Sequence, residues 1–151
     1  MDSAIGPEEY ARRLADLCAR GGRHAFPRRG RDKSILLHAL SRRFDDTRGG
    51  SLDERAVGAR ISVWLQETGS ALDVDAVSLR RALIDAGFLV RDADGRSYRP
   101  SRTYENLIRF DPAVGELDPD RIVADARLQA QERLRLFRMK AMDSGFRRND
   151  R

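Results

Sequence analysis

The residues of this sequence best equipped for chemistry are its arginines, and they gather in three places. Arg28, Arg29 and Arg31 crowd together with Lys33; Arg80 and Arg81 stand side by side just after Ser78; Arg91, Arg96 and Arg99 straddle an Asp-Gly pair. A guanidinium presents a planar fork of donors that fits a phosphate or a guanine edge bidentately, and a serine hydroxyl adds a phosphate hydrogen bond. That chemistry is recognition of double-stranded DNA. Each group also has a plainer reading. One of Arg80 and Arg81 can pair with Asp75 or Asp85 while the other lays its stem across the core edge, and Asp92 and Asp94 offset the charge around the Asp-Gly pair. The run from Arg28 to Lys33 has few acids near it in sequence, which makes it the better phosphate candidate, although such runs are commonly solvated surface.

Other chemistries find no support in the residue types. His38 is the one histidine within a regular element; it points away from the face formed by Leu36, Leu40 and Phe44, with no carboxylate at helical spacing to orient it as a base. No catalytic residues are therefore predicted, and the chain reads as non-enzymatic. Cys18, His24 and His38 cannot make a zinc cluster, and Gly21-Gly22 and Gly49-Gly50 are isolated pairs rather than a phosphate-cradling loop, so neither metal nor cofactor is expected. Trp64 and Tyr98 could stack on unpaired bases, but Trp64 lies on an apolar helical stripe and Tyr98 suits the underside of a hairpin. Cys18 ends another such stripe and reads as a buried thiol.

The whole-chain balance agrees with a small basic body. With 151 residues and 40% hydrophobic content there is enough apolar surface for one core, and 35% charged content implies much solvated helix surface. The net charge of +5 favours a polyanionic partner. Because Lys33 and Lys140 are the only lysines, a GC-rich coding sequence accounts for the arginines as readily as phosphate contacts do. A lone cysteine indicates a reducing compartment, the acidic start lacks a secretory apolar segment, and no run approaches a membrane span, so a cytoplasmic location is expected with no membrane partner.

The elements that must position the arginines follow from periodicity and caps. Tyr10, Leu14, Leu17 and Cys18 make one stripe of a helix from Pro7 to Arg20, ended by Gly21-Gly22. A second helix is predicted from a cap at Asp32 through Ile35, Leu36, Leu40 and Phe44 to Asp45-Asp46. Ser51-Leu52-Asp53-Glu54 has the form of a capping box for a third, with Val57, Ile61, Trp64 and Leu65 inward, ending near Gly69. The fourth starts near Asp73 or Asp75, buries Leu79, Ala82, Leu83 and Ala86, and stops at Gly87. Residues 88–99 alternate about Asp92-Ala93-Asp94-Gly95 as a hairpin closed by Pro100. Asp118 and Pro119 open a last helix with Ile122, Val123, Ala126, Ala130, Leu134 and Phe137 on one side.

Three helices followed by a hairpin predict a mainly α fold with a small β-hairpin: a winged helix-turn-helix-like domain with extra N- and C-terminal helices. The divisions are an N-terminal helix in 1–22, the winged-helix-like domain in 23–100, a C-terminal extension with its helix in 101–141 and a loose tail in 142–151.

Phe26-Pro27, Ile35-Leu36-Leu37, Asp53-Glu54 leading to Val57, and above all Asp75 with Leu79-Arg80-Arg81-Ala82-Leu83-Ile84-Asp85-Ala86-Gly87-Phe88-Leu89, Arg91-Asp92, Gly95 and Tyr98, resemble the bacterial family catalogued as domain of unknown function 2087. The resemblance covers about half the chain. It departs at Ala76, where the family often carries histidine, and at Gly58, where it often carries asparagine. It implies a winged-helix domain associated with bacterial transcriptional regulators. Two functions follow as expectations: a DNA-binding, transcription-associated protein, working as a homodimer, or a non-enzymatic interaction and dimerisation module without direct DNA contact, assembled through its end helices.

Overall fold

The computed structural model describes residues 3–47 and 49–149, the last five as backbone only. Met1 and Asp2 of the predicted N-terminal segment, and Asp150 and Arg151 of the predicted tail, lie outside the described residues. The chain is mainly helical: α1 Pro7–Ala19, α2 Gly30–Ser41, α3 Glu54–Glu67, α4 Ala76–Asp85 and α5 Pro119–Asn149. Five short strands, β1 His24–Ala25, β2 Leu52–Asp53, β3 Leu72–Asp73, β4 Leu89–Arg91 and β5 Ser97–Pro100, form two small sheets.

Local signals explain most of these boundaries. Pro7 opens α1, and its stripe of Tyr10, Leu14 and Cys18 is buried. Asp53 and Asp75 cap α3 and α4, accepting from the Ala56 and Ser78 amides at 2.8 and 2.7 Å. The cap of α3 is thus Asp53, not Ser51 of the expected box. Helix α2 starts at Gly30, two residues before the cap predicted at Asp32, and Arg29 gives it no side-chain cap. Asp32 instead accepts from Arg13 of α1 at 2.9 Å. The segment expected to finish α2 tightens into a 3₁₀ turn over Arg42–Thr47.

The predicted hairpin is β4 and β5, with Leu89 opposite Pro100 and Arg91 opposite Tyr98. Strand β2 adds antiparallel to β5, giving the order β2-β5-β4. A two-residue parallel pair, His24 with Leu72 and Ala25 with Asp73, joins the segment before α2 to the one before α4.

The core runs between all the helices, with α2 at its centre: every residue from Ile35 to Leu40 is buried. Trp64, Ile61 and Val57 of α3, Leu79 and Leu83 of α4, and Phe88, Leu89 and Tyr98 at the hairpin close around it. His38 is therefore not on an outward face; it is 8% exposed, hydrogen-bonded to Tyr10 and packed among Phe88, Tyr104 and Phe110. A helix covered on every side has no solvent face to give a polar residue, which is why a two-sided wheel misplaces it.

Helix α5 docks only by its first half. Val123 is buried and Ile122, Ala126 and Ala130 are half-buried, whereas Leu134 and Phe137 are 49% and 69% exposed. The helix continues through 142–149, where a loose tail is expected, since no proline interrupts it; residues 131–149 project about 28 Å beyond the body. The docking is locked by Arg127. Its guanidinium donates to the carbonyls of Thr68 at 2.6 Å and Cys18 at 3.3 Å, to the Glu67 carbonyl and to Ser70 Oγ. These carbonyls are the unpaired C-terminal ends of α1 and α3, where a cation also suits the helix dipole. Arg127→Met keeps the stem and removes those bonds. Urea unfolding should show a loss of about 2 kcal/mol, and a thermal midpoint lower by about 6 °C. An unchanged midpoint would mean the guanidinium is not the lock.

Candidate nucleic-acid interface

Helix α4 is set by its inward Leu79 and Leu83 and by the Asp75 cap, leaving Val77, Ser78, Arg81 and Asp85 outward. Ser78 serves the cap: first its backbone amide and then its hydroxyl bond the Asp75 carboxyl and hold it below the usual carboxylate range. Arg80 turns the other way. Its Nη1 lies 2.8 Å from Glu54 Oε1 at the start of α3, with its side chain only 17% exposed, so it ties two helices together. Its partner is neither Asp75 nor Asp85, as expected, because Glu54 sits across the α3–α4 contact. Arg81 is exposed; its charge helps to hold the Asp75 carboxyl down, as expected, although the two form no close ion pair among the described residues.

The hairpin arginines divide likewise. Arg91 folds back over its own turn, donating to the Gly95 carbonyl at 3.1 Å with its guanidinium above the Tyr98 ring. Arg99 pairs with Asp92 at 3.0 Å. Arg96, at the exposed turn, is held only by its backbone amide, which donates to Asp94.

In the basic loop, Arg31 is a tether: it grips Glu9 of α1 and donates to the Ser3 carbonyl at 2.9 Å. The hydrogen bond from Arg31, with that from Arg13, holds the Glu9 carboxyl down at about 2. Lys33 reaches the Arg28 carbonyl at 3.3 Å. Arg28 and Arg29 remain exposed, without an ion pair among the described residues. The loop has a defined course. It leaves β1, paired with the residues just before α4, and ends at Gly30, which shares a cleft with Ala86 at the far end of α4. Its two ends are thus placed near the entry and the exit of α4, with Arg28 and Arg29 exposed between them.

Four of the ten expected residues, Arg28, Arg29, Arg81 and Arg96, are thus presented outward; Arg31, Lys33, Arg80, Arg91 and Arg99 have partners within the fold, and Ser78 is mainly a capping residue. Val77, 47% exposed one turn before Arg81, is an outward apolar side chain missing from the sequence reading. The signal for it was an apolar residue on the polar side of the α4 wheel. Trp64 and Tyr98 are buried and offer no stacking face. Burial pushes the Cys18 thiol up to about 12, leaving it protonated and inert. Among the described residues no group of histidine, cysteine and carboxylate side chains could hold a metal ion, and no helix is long and apolar enough to cross a membrane.

No curated protein and no solved structure matches this chain. A family model does, over residues 24–100, which begins at β1, ends at the last residue of β5 and covers half of the 151 residues. The protein belongs to that family, domain of unknown function 2087, described as an uncharacterised protein conserved in bacteria.

Proposed function

We propose that this protein is a winged-helix DNA-binding protein associated with transcription, in which α4 enters the major groove and the β4–β5 hairpin is the wing. The observation that carries this reading is the outward face of α4 itself: Val77 and Arg81 are exposed on it, Arg28 and Arg29 are exposed in the loop whose ends lie near its entry and exit, and Arg96 tips the hairpin that follows it. Arg81 suits a guanine edge or a phosphate, Val77 a thymine methyl, and the other three the backbone. The succession α2, β2, α3, α4, β4, β5, with β2 closing a three-stranded sheet, supports the same reading.

Four exposed arginines set the expected salt dependence. By fluorescence anisotropy on labelled duplex DNA, the logarithm of affinity should fall with the logarithm of salt at a slope of about −4, roughly a hundredfold between 50 and 200 mM. Replacing Arg28, Arg29, Arg81 and Arg96 by alanine should abolish that slope. Absent or salt-independent binding would refute the proposal.

Assembly through the C-terminal helix draws on the exposed Leu134, Phe137, Met139 and Met142. Arg133 and Arg138 flank Leu134 and Phe137 directly, however, so two copies packed along this stripe would set like charges side by side. The DNA reading is therefore preferred.

A further inference from the structure

Behind the hairpin, on the opposite side of His38 from Tyr10, the segment 99–115 folds over the C-terminal end of α2 and leaves a cavity of about 660 Å3, with a smaller one of about 290 Å3 adjoining it. His38, Arg102, Tyr104 and Gly115 line both. The volumes lie in the range of small-molecule sites, where an apolar wall and a few polar groups are the usual composition.

The apolar wall is aromatic. Its accessible face is the half-buried Tyr104, which stacks on Phe88 with centroids 4.3 Å apart and planes 12° from parallel; Phe88 and Phe44 are buried and back it from beneath. Arg42, Arg99, Arg102 and Asp45 line the larger cavity, and Glu105 and Asp111 the smaller. Each guanidinium already has a partner, Asp45, Asp92 and Glu105 respectively, and Arg42 also donates to the Gly115 and Leu117 carbonyls; the Arg99 and Arg102 pairs use only one or two of five N–H donors each. The Arg102 pair is largely exposed and so is held weakly.

His38 supplies a fixed donor at the floor. The Tyr10 hydroxyl is buried, and its partner among the described residues is His38 Nδ1 at 2.8 Å. A phenol that instead accepted from Nδ1 would leave its own proton unbonded, so Tyr10 donates and the ring proton sits on Nε2. Burial also keeps the ring neutral.

We infer that this cavity binds a small organic anion with a planar apolar body: the ring lies against the open face of Tyr104, and its carboxylate, or an equivalent acid, meets Arg102 and Arg99 with His38 Nε2 beneath. His38, Arg42 and Arg99 belong to the family segment, whereas Arg102, Tyr104 and Gly115 follow it, so the site is completed by what lies beyond residue 100. The inference stands apart from DNA binding.

The test uses naphthalene-2-carboxylate and its neutral amide as probes. The chain has two histidines, so the ring carbon-proton signals of His24 and His38 report separately in a 13C-edited NMR titration. The acid should move the His38 signals saturably and leave those of His24 in place. The amide should bind about tenfold more weakly, as should the acid to Arg102→Gln, the equivalent of one charge-assisted hydrogen bond. Arg102 is 83% exposed, so the variant should keep the wild-type thermal midpoint, which is measured alongside. An unmoved His38, equal binding of acid and amide, or full affinity in Arg102→Gln would each overturn the inference.

Discussion

Between pH 6.5 and about 4 the folded protein should lose about 3 kcal/mol of stability, and His38 should account for the loss. Burial, seconded by the nearby Arg42 charge, lowers the His38 pKa from 6.5 to about 4. In that interval the unfolded chain takes up a proton that the folded chain refuses. Stability therefore rises with pH across the interval, falls as pH is lowered through it, and receives no further contribution from this residue below pH 4. The neighbours allow no escape. Tyr10, on α1, is itself held protonated by burial, Phe88, Tyr104 and Phe110 are uncharged, and Arg42 is repulsive.

Glu9 titrates in the same direction, but its range, from 4.5 down to about 2, lies mostly lower. Urea unfolding followed by the single tryptophan, buried Trp64, gives the free energy at each pH. In His38→Asn, which retains an acceptor for Tyr10 but does not titrate, the slope should vanish from pH 6.5 to about 5, leaving below that only the part that Glu9 supplies. A variant with the wild-type slope would show that the proton is taken up elsewhere.

His38 also marks where the sequence stops being legible. Stripes and caps are local properties, so α1, α3, α4 and the hairpin could be read from Tyr10-Leu14-Cys18, from Asp75 and Gly87, and from Asp94-Gly95. The burial of His38 depends on Tyr104 and Phe110, which lie more than sixty residues away in a segment with no periodicity at all. Strand β2 was hidden for a related reason: Leu52 and Asp53 become a strand only through β5, and nothing in two residues signals that. The candidate interface divides along the same line. Which arginines the fold engages is decided in part by Glu9 and Glu54, acids at no helical spacing from Arg31 and Arg80, so charge along the chain does not tell which of them are left exposed.

Gly87→Ala should cost about 3 kcal/mol, far more than the same change at Gly30, although both glycines have nearly the same backbone angle. At φ of 85° and 87° respectively, each sits in the left-handed region where a side chain costs about 1 to 2 kcal/mol. A methyl on Gly30 would meet nothing within 4 Å. On Gly87 it would lie 2.6 Å from the Tyr104 amide nitrogen and 2.9 Å from the Thr103 carbonyl carbon, both backbone atoms. Neither can swing aside as a side chain would. The Gly87 amide donates to Ile84 and the Phe88 amide to Leu83, closing α4, while the Gly87 carbonyl accepts from Tyr104. Relief of the clash must therefore open the end of α4, displace residues 103–104, or both. Urea unfolding of the two variants side by side measures the difference, and equal losses would mean that the contact at Gly87 is not tight. If the loss is as large as expected, one glycine holds three things in register: the helix that carries Arg81, the strand that follows it and the Tyr104 wall of the cavity behind.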